Sequence, residues 1–302
     1  MKQQPVDLFQ MGGGAIMACC NIILFFEKMK LLLKAKFGRI NWFWRIYMLR
    51  KKSGEIEWLE FELLQGIPHL KAGVFLRQGG ISQGPYASFN LGANPGNLLA
   101  EHVIYHRKQI QKLCNFKEIV TGNQVHGVHA KWIQRLKQDV GNCDILLTDL
   151  PEIGLLITHA DCQAAIFYDP LRKAIANTHA GWRGNVGNAY RETVRSMHKA
   201  FGSNPADLLV CISPSLGPKH AEFKEYKREF PPDFWKYQVT PFHFDLWAIA
   251  KDQLEEAGVL PSHIEIACMC TYCNAEDFYS YRRDQITGRN GTIIGFTEKA
   301  FD

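Results

Sequence analysis

The sequence lacks internal repeats, low-complexity tracts, long linkers and any regular cysteine spacing. It also lacks a clear membrane-spanning run. The apolar stretch Ala15–Phe26 (AIMACCNIILFF) holds twelve residues and includes Asn21, whereas a spanning helix needs about 20. As a signal peptide that stretch has only Lys2 before it and no small-residue cleavage site after it. The nine cysteines are an odd number without paired spacing, in a chain too long to need disulfide staples. A reducing, cytoplasmic setting is therefore expected. No His-x-His pair occurs, which removes the ligand pattern of a multicopper oxidase.

Charge of one sign is also missing from most of the chain. Net charge is +5, but residues 1–47 hold seven Lys/Arg against Asp7 and Glu27. Residues 48–302 thus carry 28 basic and 28 acidic side chains, with no net pull toward nucleic acid. The first segment reads in two ways. It is a dispensable extension preceding a domain of residues 48–302 that starts at Met48, or a cationic amphipathic stretch that contacts an anionic membrane surface.

What the sequence does contain is ordinary globular composition, 46% hydrophobic and 22% charged, enough for a sizeable core. Alternation predicts a strand over 56–64, and a Gly/Pro/Asn/Ser-rich stretch over 76–96 predicts ordered loops. Helical spacing covers 102–113, about 186–201 and 246–257. Apolar runs predict strands over 144–148, 154–158, 163–168, 173–179, 208–213 and 264–269. Some strands follow one another directly, so the expected class is α/β of the α+β kind: a single domain with a mixed sheet flanked by helices.

Three residues with ligand chemistry sit where strands end in small-residue turns: His126 in NQVHG, Cys162 in HADC and His179 in THAGWRG. Small neighbours let backbone approach a ligand closely. One thiolate with two imidazoles suits Zn²⁺ and leaves a position open. The separations match no short zinc pattern, and a lone His or Cys is more often a packed or solvated residue, so that role stands ahead of the metal site on residue types alone. The run Cys268-x-Cys270-x-x-Cys273 reads as reduced, partly buried thiols rather than a second cluster.

Eight blocks occur in order: GVFLRQGGISQGPYASFNLG, NQVHG, DILLTD, THADCQAAIFYDP, THAGWRGN, CISPSLGP, FDLWAIAKDQLEEAG and CTYCNAEDFYSYRRDQITGR. Together they resemble the YfiH-type, or laccase-domain, family, regarded as purine nucleoside phosphorylases, from about Gly73 to Phe296. The resemblance implies a metal, Zn²⁺ or copper, held by His126, Cys162 and His179. It also implies phosphorolysis of adenosine, inosine and methylthioadenosine to base and ribose 1-phosphate, with adenosine deamination at the same site. Purine nucleosides and phosphate are then the partners, with the chain a monomer or weak oligomer and no nucleic acid bound. Four positions depart from the family pattern: Leu76, His159, Ser213 and Ala250. None is a proposed ligand.

For that chemistry Asp161 is the first carboxylate to consider for moving protons, against an equally open role in orienting a ligating histidine. Arg183 and Arg77, in Gly-rich loops, lead the candidate phosphate clamps, followed by Arg282 and Arg283; surface or ion-paired roles compete for the last two. Asn90 and Gln124 are candidates for substrate hydrogen bonds, with loop packing the alternative. Three other functions compete. A cysteine hydrolase or amidase acting on cell-wall peptide would use Cys162 as nucleophile and His179 as base. A copper oxidase of phenols and a membrane-surface protein run by residues 1–47 are the others.

Overall fold

Two six-stranded sheets carry the chain in the computed structural model, which describes residues 48–92 and 100–297. Both expectations for residues 1–47 lie outside the described residues. The first sheet runs β1 (Leu49–Ser53), β2 (Ile56–Glu60), β3 (Leu70–Phe75), β14 (Asn290–Phe296), β7 (Ile153–His159) and β4 (Glu118–Val120). Only the β4–β7 pair is parallel. The second runs β13 (Ile264–Ile266), β10 (Leu209–Ile212), β8 (Gln163–Asp169), β9 (Ala174–Ala180), β6 (Ile145–Thr148) and β5 (Ala130–Trp132). Its outer pairs, β10–β13 and β5–β6, are parallel and its inner pairs antiparallel. A short ribbon joins β11 (Gln238–Thr240) to β12 (His243–Phe244).

The mixed-sheet expectation therefore holds twice over, and burial explains the doubling. Leu155, Ile157 and Ile294 of the first sheet meet Leu146, Ile166 and Ile175 of the second in one buried cluster. The Asn177 amide on β9 crosses the interface, donating to the carbonyls of Leu155 at 2.9 Å and Thr292 at 2.8 Å. Helix α1 (Ala100–Cys114) covers the outer face of the first sheet, where Ile110 packs with Leu156 and Ile293. The short α2 (Trp182–Val186) leads into α3 (Ala189–Phe201). The one-turn α4 (Tyr226–Glu229) is followed by α5 (Leu246–Glu256). Tyr190, Val194 and Met197 of α3, with Leu254 of α5, cover the outer face of the second sheet. With both faces covered, β8 and β9 are buried at every position. That is why neither shows the alternation of a strand with one face in water, and why the polar Asn177, Thr178 and His179 of β9 are hydrogen-bonded inside.

The helix predicted from about Val186 starts at Ala189 instead. Asn188 adopts φ 54° and its side chain accepts the Arg191 N–H at 3.0 Å. That cap satisfies one of the unpaired first-turn donors, worth about 1 kcal/mol, and separates α3 from α2. Gly202 closes α3 at φ 71°, where a side chain would be strained. Helix α5 is capped by Asp245, which accepts from the N–H groups of Trp247 and Ala248. The last helix is the single turn α6 (Tyr281–Asp284), capped by Ser280.

Candidate metal centre

Strand register brings the three candidate ligands together at one end of the second sheet. Gln163 pairs with Ala180, so Cys162, one residue before β8, falls beside Gly181. His179 lies opposite Ala164. On its other side Ile145 pairs with Thr178, which sets Asp144 against His179, and the His179 N–H donates to the Asp144 carbonyl at 2.7 Å. His126 arrives on the loop between β4 and β5. Its Nδ1 or Nε2, the Cys162 Sγ and a His179 ring nitrogen lie within 4.8 Å of one another. The two imidazoles meet edge to face, with centroids 4.8 Å apart.

Asp144 is the organiser that residue-type reasoning passed over. Its side chain is fully buried. One carboxylate oxygen accepts the His179 Nδ1–H at 2.8 Å and the His126 N–H at 2.9 Å. The other accepts Gly127 N–H at 2.7 Å and Val125 N–H at 3.3 Å. One anion thus fixes the tautomer of His179, leaving Nε2 free for a ligand, and folds the His126 loop over the cluster. Burial works against this charge, but the His179 contact and the backbone donors hold its pKa below the ordinary value. The signal for it was the Asp that opens the DILLTD block, one residue before a strand neighbouring β9.

The electrostatics suit a soft cation. Burial would raise the Cys162 thiol, yet the charge of His179 and hydrogen bonds with both imidazoles bring it down to about 6. Burial likewise works against protonated His179, while the Cys162 thiolate and Asp144 raise it to about 9. Three ligand atoms that share protons and carry one net thiolate are the donor set that a Zn²⁺ ion replaces those protons to bind. The backbone fits too. A Cβ on Gly181 would lie 3.0 Å from Cys162 Sγ and 3.1 Å from His126 Cδ2. Gly181→Ala is therefore expected to push both ligands aside; overpacking of this kind costs about 1–3 kcal/mol. Metal affinity should drop about 10–100-fold, read by competition against a chromogenic chelator.

The other site candidates separate on their hydrogen bonds. Asp161 sits at φ 92°, a conformation costing about 1–3 kcal/mol for a non-glycine residue. Its carboxylate accepts Thr271 Oγ1–H at 2.6 Å on one oxygen and Arg282 N–H at 2.6 Å on the other. Both carboxylate oxygens are therefore engaged, at the residue that precedes Cys162. Arg77 donates to the carbonyls of Ala87 and Ala275 and lies over the Tyr279 ring. The Arg282 guanidinium donates to the carbonyls of His220 and Glu222, and Arg283 to those of Thr271, Tyr272 and Phe278. Arg77 and Arg283 thus engage Nε, Nη1 and Nη2 within the protein, whereas Arg282 engages only Nη1 among the described residues. Asn90 is buried, with its amide engaged by Gly92 and the Arg289 N–H, and Gln124 is held by Thr158. Both side-chain amides are therefore engaged within the protein.

Two arginines remain. Arg183 is exposed, stacks on Trp182 at 4.2 Å, and its guanidinium makes no hydrogen bond among the described residues. Arg289, in the ITGR turn, was not singled out from sequence. It precedes Asn290, which pairs with His159, so it enters at the same end of the fold as Cys162. Burial lowers its pKa, and Cys162 and Asp161 are among the anions near enough to oppose that. Its Nη1 holds the carbonyls of Thr287 and Gly288, while Nε and Nη2 make no bond among the described residues. Of the departures from the family pattern, Leu76 is buried in the core and His159 is buried with Nε2 against Thr292 Oγ1 at 2.8 Å.

A two-sheet α+β fold with a His₂Cys cluster that could hold a metal ion at one sheet end is an architecture of recognisable kind. The chain belongs to the laccase-like YfiH family: the family described as "Multi-copper polyphenol oxidoreductase laccase" matches residues 71–297. It is 31% identical over 256 residues to a protein of Bacteroides thetaiotaomicron named purine nucleoside phosphorylase, covering 78% of this chain and 94% of that one. It is 30% identical over 226 residues to purine nucleoside phosphorylase YfiH of Escherichia coli K12, covering 72% and 90%. Among solved structures, YlmD from Geobacillus stearothermophilus superposes with a TM-score of 0.74 at 27% identity, covering 83% of this chain and all of that one. Bacillus licheniformis YfiH gives 0.73 at 26%, again covering 83% and all of the other chain. No helix among the described residues is long and apolar enough to cross a membrane.

Proposed function

We propose that the chain is a purine nucleoside phosphorylase whose centre is held by His126, Cys162 and His179, with Arg183 and Arg289 receiving the phosphate. The observation that carries this is the pairing of a ligand-ready cluster with two guanidiniums that keep donors open among the described residues: all of those of Arg183, and Nε and Nη2 of Arg289 beside an Nη1 engaged by backbone. A Zn²⁺ ion, or copper, bound there would supply Lewis acidity toward a polar atom of the substrate. The protein's own part is orientation. Guanidinium matches phosphate bidentately, and two of them on opposite turns would hold the nucleophile against a nucleoside lodged at the cluster. Relatives that carry the phosphorylase name support the substrate class, with adenosine, inosine and methylthioadenosine the nucleosides to test.

Adenosine deamination at the same centre has less support. It needs a carboxylate to move protons, and the two at the cluster, Asp144 and Asp161, are both committed to hydrogen bonds. The laccase description of the family fits this donor set poorly, because the chain has no His-x-His pair. One observation favours a second reading. Cys162, His179 and Asp144 lie in line as nucleophile, base and orienting carboxylate, the arrangement of a cysteine hydrolase or amidase. His126 has no task in that scheme, which is why the phosphorylase reading ranks first.

The discriminating experiment follows free base released from adenosine by the metal-loaded full chain, with and without phosphate. Phosphate-dependent release supports the proposal; no purine turnover, with hydrolysis of a cell-wall peptide instead, overturns it. Arg183→Ala is expected to cost about 10–100-fold in kcat/KM for phosphate, the worth of a charge-assisted hydrogen bond. Metal content and melting temperature should stay unchanged.

A further inference from the structure

We propose a second metal site, for Zn²⁺ or a cation of similar softness, formed by His220, Cys270 and Cys273. The sequence pattern grouped Cys268 with Cys270 and Cys273, but the fold takes Cys268 away. Cys268 stands at φ 50° and packs against the apolar cluster beneath α5. In its place the fold brings in His220, fifty residues earlier in the chain. One ligand atom from each of His220, Cys270 and Cys273 lies within 4.8 Å of the others.

The surroundings are built to hold that trio. Ser215 and Cys270 form a parallel bridge, with the Thr271 N–H donating to the Ser215 carbonyl at 3.0 Å. The Gly217 N–H donates to Cys270 Sγ at 3.2 Å, an interaction that favours a sulfur carrying negative charge. The His220 ring stacks on Tyr272 at 3.9 Å and 15°, which limits its rotation next to the two thiols. Two cysteines spaced C-x-x-C on a turn, with one imidazole from another loop, match the soft N/S donor set of Zn²⁺ and leave one position for solvent. Cys273 is exposed, so an ion can enter without unfolding.

The place of the site suggests its work. The turn from 270 to 273 supplies Thr271, whose hydroxyl donates to Asp161. The His220 carbonyl is gripped by Arg282, whose N–H donates to the other Asp161 oxygen. An ion joining His220 to Cys270 and Cys273 would therefore tie together the two loops that hold Asp161 in its left-handed conformation, and Asp161 precedes Cys162. The site is structural, and it stands whether or not nucleosides are the substrate.

The test uses the full chain, stripped with chelator under reductant and then titrated with Zn²⁺ and, as a spectroscopic probe, Co²⁺. Wild type should bind about two ions per chain, and Cys273→Ser, His220→Ala and Cys162→Ala about one each. Cys162→Ala isolates the second site: its Co²⁺ complex should show thiolate-to-cobalt charge transfer, lost when Cys273→Ser is added. Zn²⁺ should raise the melting temperature of Cys162→Ala but not of the double variant. Binding of a single ion by wild type, with unchanged stoichiometry in Cys273→Ser and His220→Ala, overturns the proposal. So does a Cys162→Ala protein that gives no charge-transfer band.

Discussion

If the proposed phosphorylase centre is correct, Cys162→Ala is expected to yield a folded protein that has lost metal binding there and at least about 10³-fold of phosphorolysis, several kcal/mol of transition-state stabilisation. Folding should survive because the change removes one half-buried sulfur from the end of β8, while the strand itself is held on both sides by β9 and β10. The loss should fall on kcat and kcat/KM alike, since phosphate would still meet Arg183 and Arg289. Circular dichroism establishes the fold, elemental analysis the metal, and adenine release the activity. Retained turnover in this variant would remove the sulfur from the chemistry. Cys162→Ser separates the two readings of the site: a weak oxygen ligand should leave partial metal binding, whereas a hydrolase nucleophile exchanged for serine would retain none of its acyl-enzyme chemistry.

Asp144→Asn should be nearly as damaging without touching a ligand. The carboxylate accepts four hydrogen bonds, two per oxygen, from His179 Nδ1 and from three successive backbone N–H groups. An amide presents one acceptor and one donor, so one of those pairs must face an N–H. Losing the anion also leaves protonated His179 without its buried partner. Breaking a buried pair of this kind costs about 3–5 kcal/mol, and loss of the carboxylate behind a ligating histidine weakens metal binding about 10–100-fold. Denaturant unfolding and chelator competition measure the two effects separately. A variant with wild-type stability and affinity would show that the His126 loop holds its shape without Asp144. Reduced stability with unaltered metal affinity would limit the carboxylate to folding.

Much of this molecule is legible locally. Strands β6 to β10 and helices α1, α3 and α5 follow from apolar runs, helical spacing and punctuation by Gly, Asn and Asp. Elements that escaped have physical reasons. The run Asn290–Phe296 is buried at every position yet contains two glycines and no alternation, so neither period marks it. The run Leu70–Phe75 holds a lysine and a glycine among its six residues. The start of α3 shifted because Asn188 caps it in a left-handed conformation that spacing alone does not reveal.

The site divides the same way. His126, Cys162 and His179 are recognisable from residue type, small neighbours and the family blocks, because ligand chemistry belongs to the side chain itself. What a polar side chain donates to is set by contacts far away in sequence. Arg77 reaches a carbonyl 198 residues on, and Asp161 accepts from Thr271 and Arg282, 110 and 121 residues away. No local pattern distinguishes a guanidinium spent on backbone carbonyls, such as that of Arg77, from one left open, such as that of Arg183. The sequence by itself determined the α+β class, the main strands and which two histidines and one cysteine to look for. Only the tertiary structure decided that Asp144 commands the cluster, that Arg183 keeps its fork open while Arg289 engages only Nη1, and that His220 replaces Cys268 beside Cys270 and Cys273. Hydrogen-bond saturation and proximity are properties of packed neighbours, and the neighbours here come from strands and loops that the sheets bring together.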